Sequence, residues 1–421
     1  MKKCLLLLFL LTYFSSLIWG QETKRALFLG NSYTQSNNLP VLIDNIAKTQ
    51  GDTLVYSQNT PGGYTFQGHS TNGTSMSKIR QGNWDFVVMQ EQSQRPSFPD
   101  AQVATIVYPY AQQINDTIEK YNACGETMFF MTWGRENGDP QWAPISTYDG
   151  MQSRLTNAYL TMTVDNEAVC SPVGAVWKYV RDSFPTIGLY TIDGSHPSIA
   201  GSYLAACTFY AAMYRKSPVG SSYYAGLSPT IALNLQNAAA HVVLDSMSNW
   251  HLLDYDVQAS YNTTVNLDTV VFSNSSQNAT SFEWNFDDGS TIDTTQNPTH
   301  IYSQAGNYNV QLIASDDCGN TDTSTVSITV SVINGEKKIK YKEKSLVKCY
   351  PNPTSSVLYI KATETIEELQ ILNTTGQVVW TKKNIASEQF DLNIEDFHKG
   401  VFLVEFRLSS GTRIVKKLAF Q

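Results

Sequence analysis

Cysteine is sparse and unpatterned in this chain. The six residues, Cys4, Cys124, Cys170, Cys207, Cys318 and Cys349, include no Cys-x-x-Cys pair. That spacing excludes zinc-ribbon and thioredoxin-type motifs. No P-loop, G-x-G-x-x-G, His-Glu-x-x-His or EF-hand pattern occurs, so no cofactor and no metal is expected. Basic charge is missing from one whole region: residues 251–333 hold no Lys or Arg but ten Asp or Glu. Residues 334–421 carry fourteen Lys or Arg against ten Asp or Glu. Shifts of this kind mark domain borders, and a net charge of −8 argues against nucleic acid as a partner. Long apolar runs are absent after the first twenty residues. "MKKCLLLLFLLTYFSSLIWG" has two lysines, a short apolar stretch and small residues, which reads as a secretory signal over 1–20. Its apolar run is shorter than the ~20 residues of a spanning helix, so no transmembrane segment is expected after its removal. Export permits disulfides, yet Cys124, Cys170 and Cys207 are so scattered that buried free thiols are expected.

What is present is first an alternation. "RALFLG", "TLVYSQ", "DFVVMQ" and "TMFFMTW" read as strands. Between them lie helical patterns such as "LPVLIDNIAKTQG" and "AQVATIVYPYAQQINDTIEKYNACG". Strand then helix, repeated, implies an α/β fold over residues 21–253: a three-layer arrangement of a parallel sheet with helices on both faces. From 255 to 332 short β-type runs among Ser, Thr, Asn and Asp predict an Ig-like β-sandwich. A charged linker, 333–345, leads to a second small all-β sandwich at 346–421.

Chemistry in a parallel sheet gathers at the carboxyl ends of its strands. "GNSYT" places Ser32 at such an end, after Gly30, with backbone N–H groups nearby to receive an oxyanion. A hydroxyl needs a base. "DGSHP" supplies His196 with Asp193 three residues earlier, where the carboxylate can hold the imidazole tautomer. His69 lacks an Asp at comparable spacing and reads as a pocket or loop residue; His241 and His251 read as structural.

These blocks together resemble the SGNH/GDSL hydrolase superfamily, in a bacterial branch with a Gln-Glu-Gln-Ser third block. The resemblance covers roughly residues 25–220 and implies a flavodoxin-like three-layer parallel sheet. It implies Ser32 as nucleophile, with Asn31 where the family usually has Asp, and Asp193 and His196 as acid and base. "NTPGGYTFQGHS" stands at the second block and offers Gly63 for the oxyanion. "WDFVVMQEQSQRP" stands at the third but has no G-x-N-D. A glutamine then replaces the expected asparagine, either Gln92 or Gln90. Tyr33, Tyr64, Trp133 and Arg135 are placed to line a substrate rim. The implied activity is a secreted or surface serine esterase acting on acetyl-type esters of carbohydrates. The alternatives are a non-catalytic glycan- or partner-binding protein on the same fold, and a lipase, against which the lack of an obvious apolar lid argues.

The sandwich at 255–332 resembles a PKD domain through "FEWNFDDGST", "PTHIYSQAGNYNVQLIAS" and "DDCG". Trp284 is expected in its core and Asp287, Asp288 and Gly289 in a turn. Residues 346–421 resemble a type IX secretion C-terminal sorting domain of type A, through "YPNPTSSVLYI", "LQILNTTGQVV", "KGVFLVEF" and "GTRIVKKLAFQ". That resemblance implies the type IX machinery as a partner, and release or outer-surface attachment.

Overall fold

The computed structural model describes residues 21–332 and 346–421; the expected signal segment and linker lie outside them. Five strands, β1 (Thr23–Leu29), β2 (Thr53–Asn59), β3 (Phe86–Met89), β4 (Glu126–Phe130) and β5 (Val169–Ser171), form one sheet in the order β2-β1-β3-β4-β5. All four pairings are parallel. This is the flavodoxin-like order, whose direction of winding reverses between β1 and β3. Ligand sites in such sheets lie in the crevice beyond the carboxyl ends at that reversal.

The strands are apolar without interruption because both faces are covered. Ala26 and Phe28 of β1 belong to one core; Leu27 and Leu29, pointing the other way, belong to the second. Helices fill both layers: α1 (Ser32–Gln35), α2 (Leu39–Thr49), α3 (Phe66–Thr71), α4 (Gly73–Ile79), α5 (Asp100–Ile106), α6 (Tyr108–Tyr121), α7 (Tyr148–Asp165), α8 (Val173–Ser183), α9 (Ile199–Tyr214) and α10 (Pro229–Leu244). α2 buries Leu39, Leu42, Ile43, Ile46 and Ala47, a stripe at helical spacing. α9 is buried from Ala200 through Tyr214 and apolar all round, as a helix packed on every side must be.

One local reading of the sequence is corrected. The run "AQVATIVYPYAQQINDTIEKY" is two helices, because Pro109 cannot continue the first and instead occupies the opening turn of α6. Gly174 lies inside α8. A Cβ there would sit 2.2 Å from the Thr132 carbonyl, so glycine lets the helix close on the end of β4.

The β6–β11 domain pairs β6 (Tyr261–Asn266), β7 (Thr269–Asn274) and β9 (Thr299–Ile301) in one sheet. Its second sheet is β8 (Ser281–Asn285), β10 (Gly306–Ser315) and β11 (Thr321–Val330). Trp284 is fully buried between them. Asp287 (φ 60°) and Gly289 (φ 79°) turn the chain between β8 and β9. This domain and the α/β domain form one compact unit. A disulfide joins them: Cys124, just after α6, pairs with Cys318 on the β10–β11 turn, with Cα atoms 5.3 Å apart. The expectation of a free Cys124 is therefore wrong, while Cys170 and Cys207 are free and buried. The pairing crosses 194 residues, and only the folded arrangement of two domains brings the sulfurs together.

The C-terminal unit has β12 (Val347–Tyr350), β13 (Val357–Leu372), β15 (Gly400–Leu408) and β16 (Arg413–Phe420) in that order, with β14 (Val378–Asn393) pairing β13. Its core is its own, built around Leu358, Leu369, Val404 and Phe406. No helix among the described residues is long and apolar enough to cross a membrane.

Candidate active site

Ser32 opens α1 three residues beyond β1. Asn31 caps that helix, its side-chain oxygen accepting the Tyr33 N–H at 3.1 Å. As the first helical residue, Ser32 has no intrahelical acceptor for its own N–H. Gly30, one residue earlier, admits no side chain: a Cβ would sit 2.5 Å from Thr34 Oγ1 and 2.8 Å from Gln90 Oε1.

His196 arrives from the far end of the domain. Thr191 N donates to the His196 carbonyl and Gly194 N to the Thr191 carbonyl, closing a tight turn ahead of α9. Asp193 Oδ1 pins that turn from inside, accepting the N–H groups of Ser195 and His196, each at 2.9 Å. Its other oxygen meets His196 Nδ1 at 2.5 Å, and His196 Nε2 lies 2.9 Å from Ser32 Oγ. A carboxylate only accepts, so Nδ1 carries the proton and Nε2 presents a lone pair to the Ser32 hydroxyl. Partial burial opposes ionisation of Asp193. The bond to His196, the two N–H groups and the Thr191 hydroxyl outweigh it and hold its carboxyl well below the usual carboxylate range. The pair is open to solvent: the side chains of His196 and Asp193 are 39% and 47% exposed.

Tyr33 and Trp133 are not rim residues, contrary to expectation. Tyr33 is 3% exposed and Trp133 fully buried, so neither offers a face to a sugar. Trp133 stacks between Tyr33 (4.7 Å between centroids) and Trp177 (4.0 Å). Both instead hold the histidine turn. Tyr33 Oη lies 2.7 Å from Ser195 Oγ, and Trp133 Nε1 donates to the Ser195 carbonyl at 3.0 Å. The Tyr33 ring also stands edge-on to His196 at 5.4 Å.

Gly63 lies exposed on the loop between β2 and α3, and Asn31 reaches this loop directly, donating Nδ2–H to the Tyr64 carbonyl at 2.9 Å. An aspartate at position 31 has no such donor, which gives the asparagine here a purpose. Tyr64 is partly buried, with its hydroxyl accepting from Asn72 Nδ2. Arg135, partly exposed beyond β4, pairs with the buried Asp139 at 3.1 Å, and Asp139 also accepts from Gln94 Nε2.

The two glutamines separate cleanly. Gln90 is fully buried; its Oε1 accepts from Asn31 N and Thr34 Oγ1, each at 3.0 Å, and its Nε2 donates to the Glu91 carbonyl. It braces the Ser32 loop from inside, with its amide turned to buried partners, which corrects its placement among the oxyanion donors. Gln92 is partly exposed. Its Oε1 accepts from Gln94 N and Arg95 N, and its Nε2 donates to Gln94 Oε1 at 3.2 Å, leaving a second N–H.

Two further residues belong to this knot. His69 is fully buried, with Nε2 2.9 Å from the Gly30 carbonyl and Nδ1 2.8 Å from Ser75 Oγ. The carbonyl requires Nε2 to carry the proton, so the ring is neutral; burial pushes its pKa down to about 4. Glu91, fully buried, accepts from Phe66 N at 2.9 Å and Gln92 N at 2.6 Å. Burial pushes its carboxyl up to about 7, against the pull of those two N–H groups and Arg95. Glu91 was not singled out in the sequence; a charged residue directly after an apolar, doubly covered strand was the available signal. Among the described residues no group of three or more His, Cys, Asp or Glu is placed to hold a metal ion.

Comparison with known proteins bears on all three domains. No curated protein matches the chain. Among solved structures, a DUF4886 family protein from Bacteroides uniformis is 17% identical, with 53% of this chain and 95% of that one covered at TM-score 0.46. A putative SGNH hydrolase from Slackia heliotrinireducens is 26% identical over 45% of this chain and 97% of that one, at TM-score 0.38. The PKD1 domain of the Vibrio cholerae metalloprotease PrtV is 32% identical over 18% of this chain and 99% of that one, at TM-score 0.18. Residues 253–331 match the family of the PKD domain, and residues 348–421 that of the secretion system C-terminal sorting domain. The chain thus joins an N-terminal α/β domain, with SGNH/GDSL hydrolase-like proteins among its structural neighbours, to a PKD domain and a sorting domain that marks it for secretion or outer-surface attachment.

Proposed function

We propose that this protein is a serine esterase of SGNH type that hydrolyses small, acetyl-type carboxylic esters on carbohydrates outside the cell. The observation that carries the reading is the unbroken relay Asp193–His196–Ser32, at 2.5 and 2.9 Å. His196 Nε2 takes the Ser32 proton as Oγ attacks the ester carbonyl, then returns it to the leaving alcohol. The oxyanion is met by the N–H groups of Ser32 and Gly63 and the free amide N–H of Gln92, each such donor being worth about 3–4 kcal/mol. Water repeats the sequence on the acyl-enzyme and frees Ser32. Arg135 and Tyr64, both partly exposed, remain as rim residues for the alcohol portion of the ester.

The exposure of His196 and Asp193 leaves the relay open to solvent, which supports an ester carried on a bulky alcohol such as a carbohydrate. Purified full-length protein and its Ser32→Ala variant, assayed on aryl acetates, test the activity. Hydrolysis by the parent alone is expected, and equal rates refute it. Rates that rise from acetyl to long acyl esters would favour a lipase. Export by the type IX route is tested separately by deleting 346–421, which should retain the protein in the periplasm.

A further inference from the structure

Glu91 sits at the reversal point of the sheet, two residues beyond β3, and is fully buried. A carboxyl placed there costs stability in its charged form, and no step of the hydrolysis uses it. We infer that Glu91 is a positioning residue: its one carboxylate ties the Gly63–Phe66 loop to the Gln92 loop, so that the oxyanion donors are brought to their working separation only while Glu91 is ionised.

The ties are unambiguous. Oε2 receives the N–H of Phe66, which opens α3 three residues after Gly63, and Oε1 receives the N–H of Gln92. The two loops otherwise come from different strands, β2 and β3, which are not neighbours in the sheet. A protonated carboxyl gains an O–H donor and becomes a poorer acceptor, which weakens its bonds to the Phe66 and Gln92 N–H groups. The groups around Glu91 set the balance. Arg95, on the turn that follows, favours the carboxylate. Tyr159 on α7 is fully buried and carries no charge, since burial drives its own pKa up. His69 on α3 is neutral. Burial dominates and pushes the carboxyl up to about 7.

This inference rests on the esterase reading, and the test separates the two. Hydrogen exchange of segments 62–68 and 90–95 is followed from pH 5.5 to 8.5 in the full chain and in Glu91→Gln, corrected for intrinsic rates. Wild-type protection at Phe66 and Gln92 should fall at least ten-fold as pH drops through 7, and Glu91→Gln should show the low-protection state at every pH. On an aryl acetate, Glu91→Gln should lower kcat by about ten- to a hundred-fold, the scale of a misplaced catalytic group. Its KM should stay within two-fold, and its kcat profile should lose one of the wild type's ionisations on the acid side. Protection that ignores both pH and the substitution overturns the proposal, whether or not the protein hydrolyses esters. An inactive wild type with pH-dependent protection overturns the esterase reading and leaves the tie standing.

Discussion

Replacing Asp193 by asparagine isolates the tautomer of His196 from the shape of its loop. Asp193 Oδ1 accepts three hydrogen bonds, from Ser195 N, His196 N and Thr191 Oγ1, at 2.8–2.9 Å. An asparagine oxygen satisfies all three, so it occupies that place and the turn survives. The amide NH2 must then fall where Oδ2 stood, 2.5 Å from His196 Nδ1. Two donors cannot face each other, so Nδ1 becomes the acceptor and the ring proton moves to Nε2, which then points a proton at Ser32 and cannot take one. A base in the wrong tautomer costs about a thousand- to ten-thousand-fold in turnover, or about 4–5 kcal/mol of barrier. The assay is kcat on an aryl acetate at pH 8, beside a thermal melt. The melt should stay within about 1 °C of wild type. Asp193→Ala, which empties all three backbone and hydroxyl bonds, should lose melting temperature as well as rate. If Asp193→Asn retains more than a tenth of the parent rate, Asp193 does not set the tautomer and the relay is not the catalytic one.

Further expectations follow from the same contacts. Opening the Cys124–Cys318 bond releases a loop of 194 residues, for which chain entropy gives an upper figure of about 5 kcal/mol. Calorimetry of Cys124→Ser should resolve the α/β and PKD transitions separately, with aryl acetate turnover at 25 °C unchanged; an identical melt would deny the disulfide a role. Trp133→Ala removes the middle ring of the Tyr33–Trp133–Trp177 stack, which should cost about 3–5 kcal/mol by chemical denaturation. It should also cut kcat, because Ser195 loses its hold. His69 and Glu91 titrate against each other. His69, depressed to about 4, gives stability that is complete above its ordinary value of 6.5 and is lost toward pH 4, by about 3 kcal/mol. Glu91, raised to about 7, penalises the fold when ionised, so stability grows by a similar ~3 kcal/mol as pH falls from 7 to 4.5. Wild-type stability should therefore be nearly flat between pH 7 and 4.5. Glu91→Gln should fall on acidification and His69→Gln should rise, and parallel curves for the two variants would contradict both assignments.

The parts of the site visible in the sequence are those whose geometry is local. A serine at a strand end and an Asp-x-x-His turn each fold from a few neighbouring residues, and the alternation of strands and helices fixes which strand ends share an edge. What remained hidden depends on direction. Gln90 and Gln92 are two residues apart on the same strand exit. One points into the sheet's interior and the other toward solvent, but the chain twists as it leaves β3, and period-two reasoning stops there. Trp133 looked like a sugar platform because it follows β4 at the catalytic edge. Its ring is needed instead to fill the space between Tyr33 and Trp177, a volume no one-dimensional pattern reveals. The partner of Cys124 lies in another domain, where spacing carries no information. Glu91 went unnoticed because a glutamate in a polar "QEQSQ" run reads as a solvated loop, whereas it is fully buried with its carboxylate on the Phe66 and Gln92 N–H groups.

The direction of β1 limits what the PKD domain can contribute. Glu22 and Lys24, at its start, line a cleft of about 600 Å³ together with Cys318 and Asp322 of the PKD domain. Ser32 follows its other end. A seven-residue strand rises about 23 Å, so the PKD surface at the Cys318 turn and the Ser32 hydroxyl stand at opposite edges of the sheet. The disulfide holds this end of the PKD domain against the α/β domain, so it cannot swing over the crevice as a lid and adds no atom to it. A monomeric ester bound at Ser32 cannot sense the PKD domain. Only a substrate long enough to run the height of the sheet touches both. Removing the PKD domain should then leave kcat/KM for aryl acetates unchanged, and any loss it causes must be confined to polymers that span that distance.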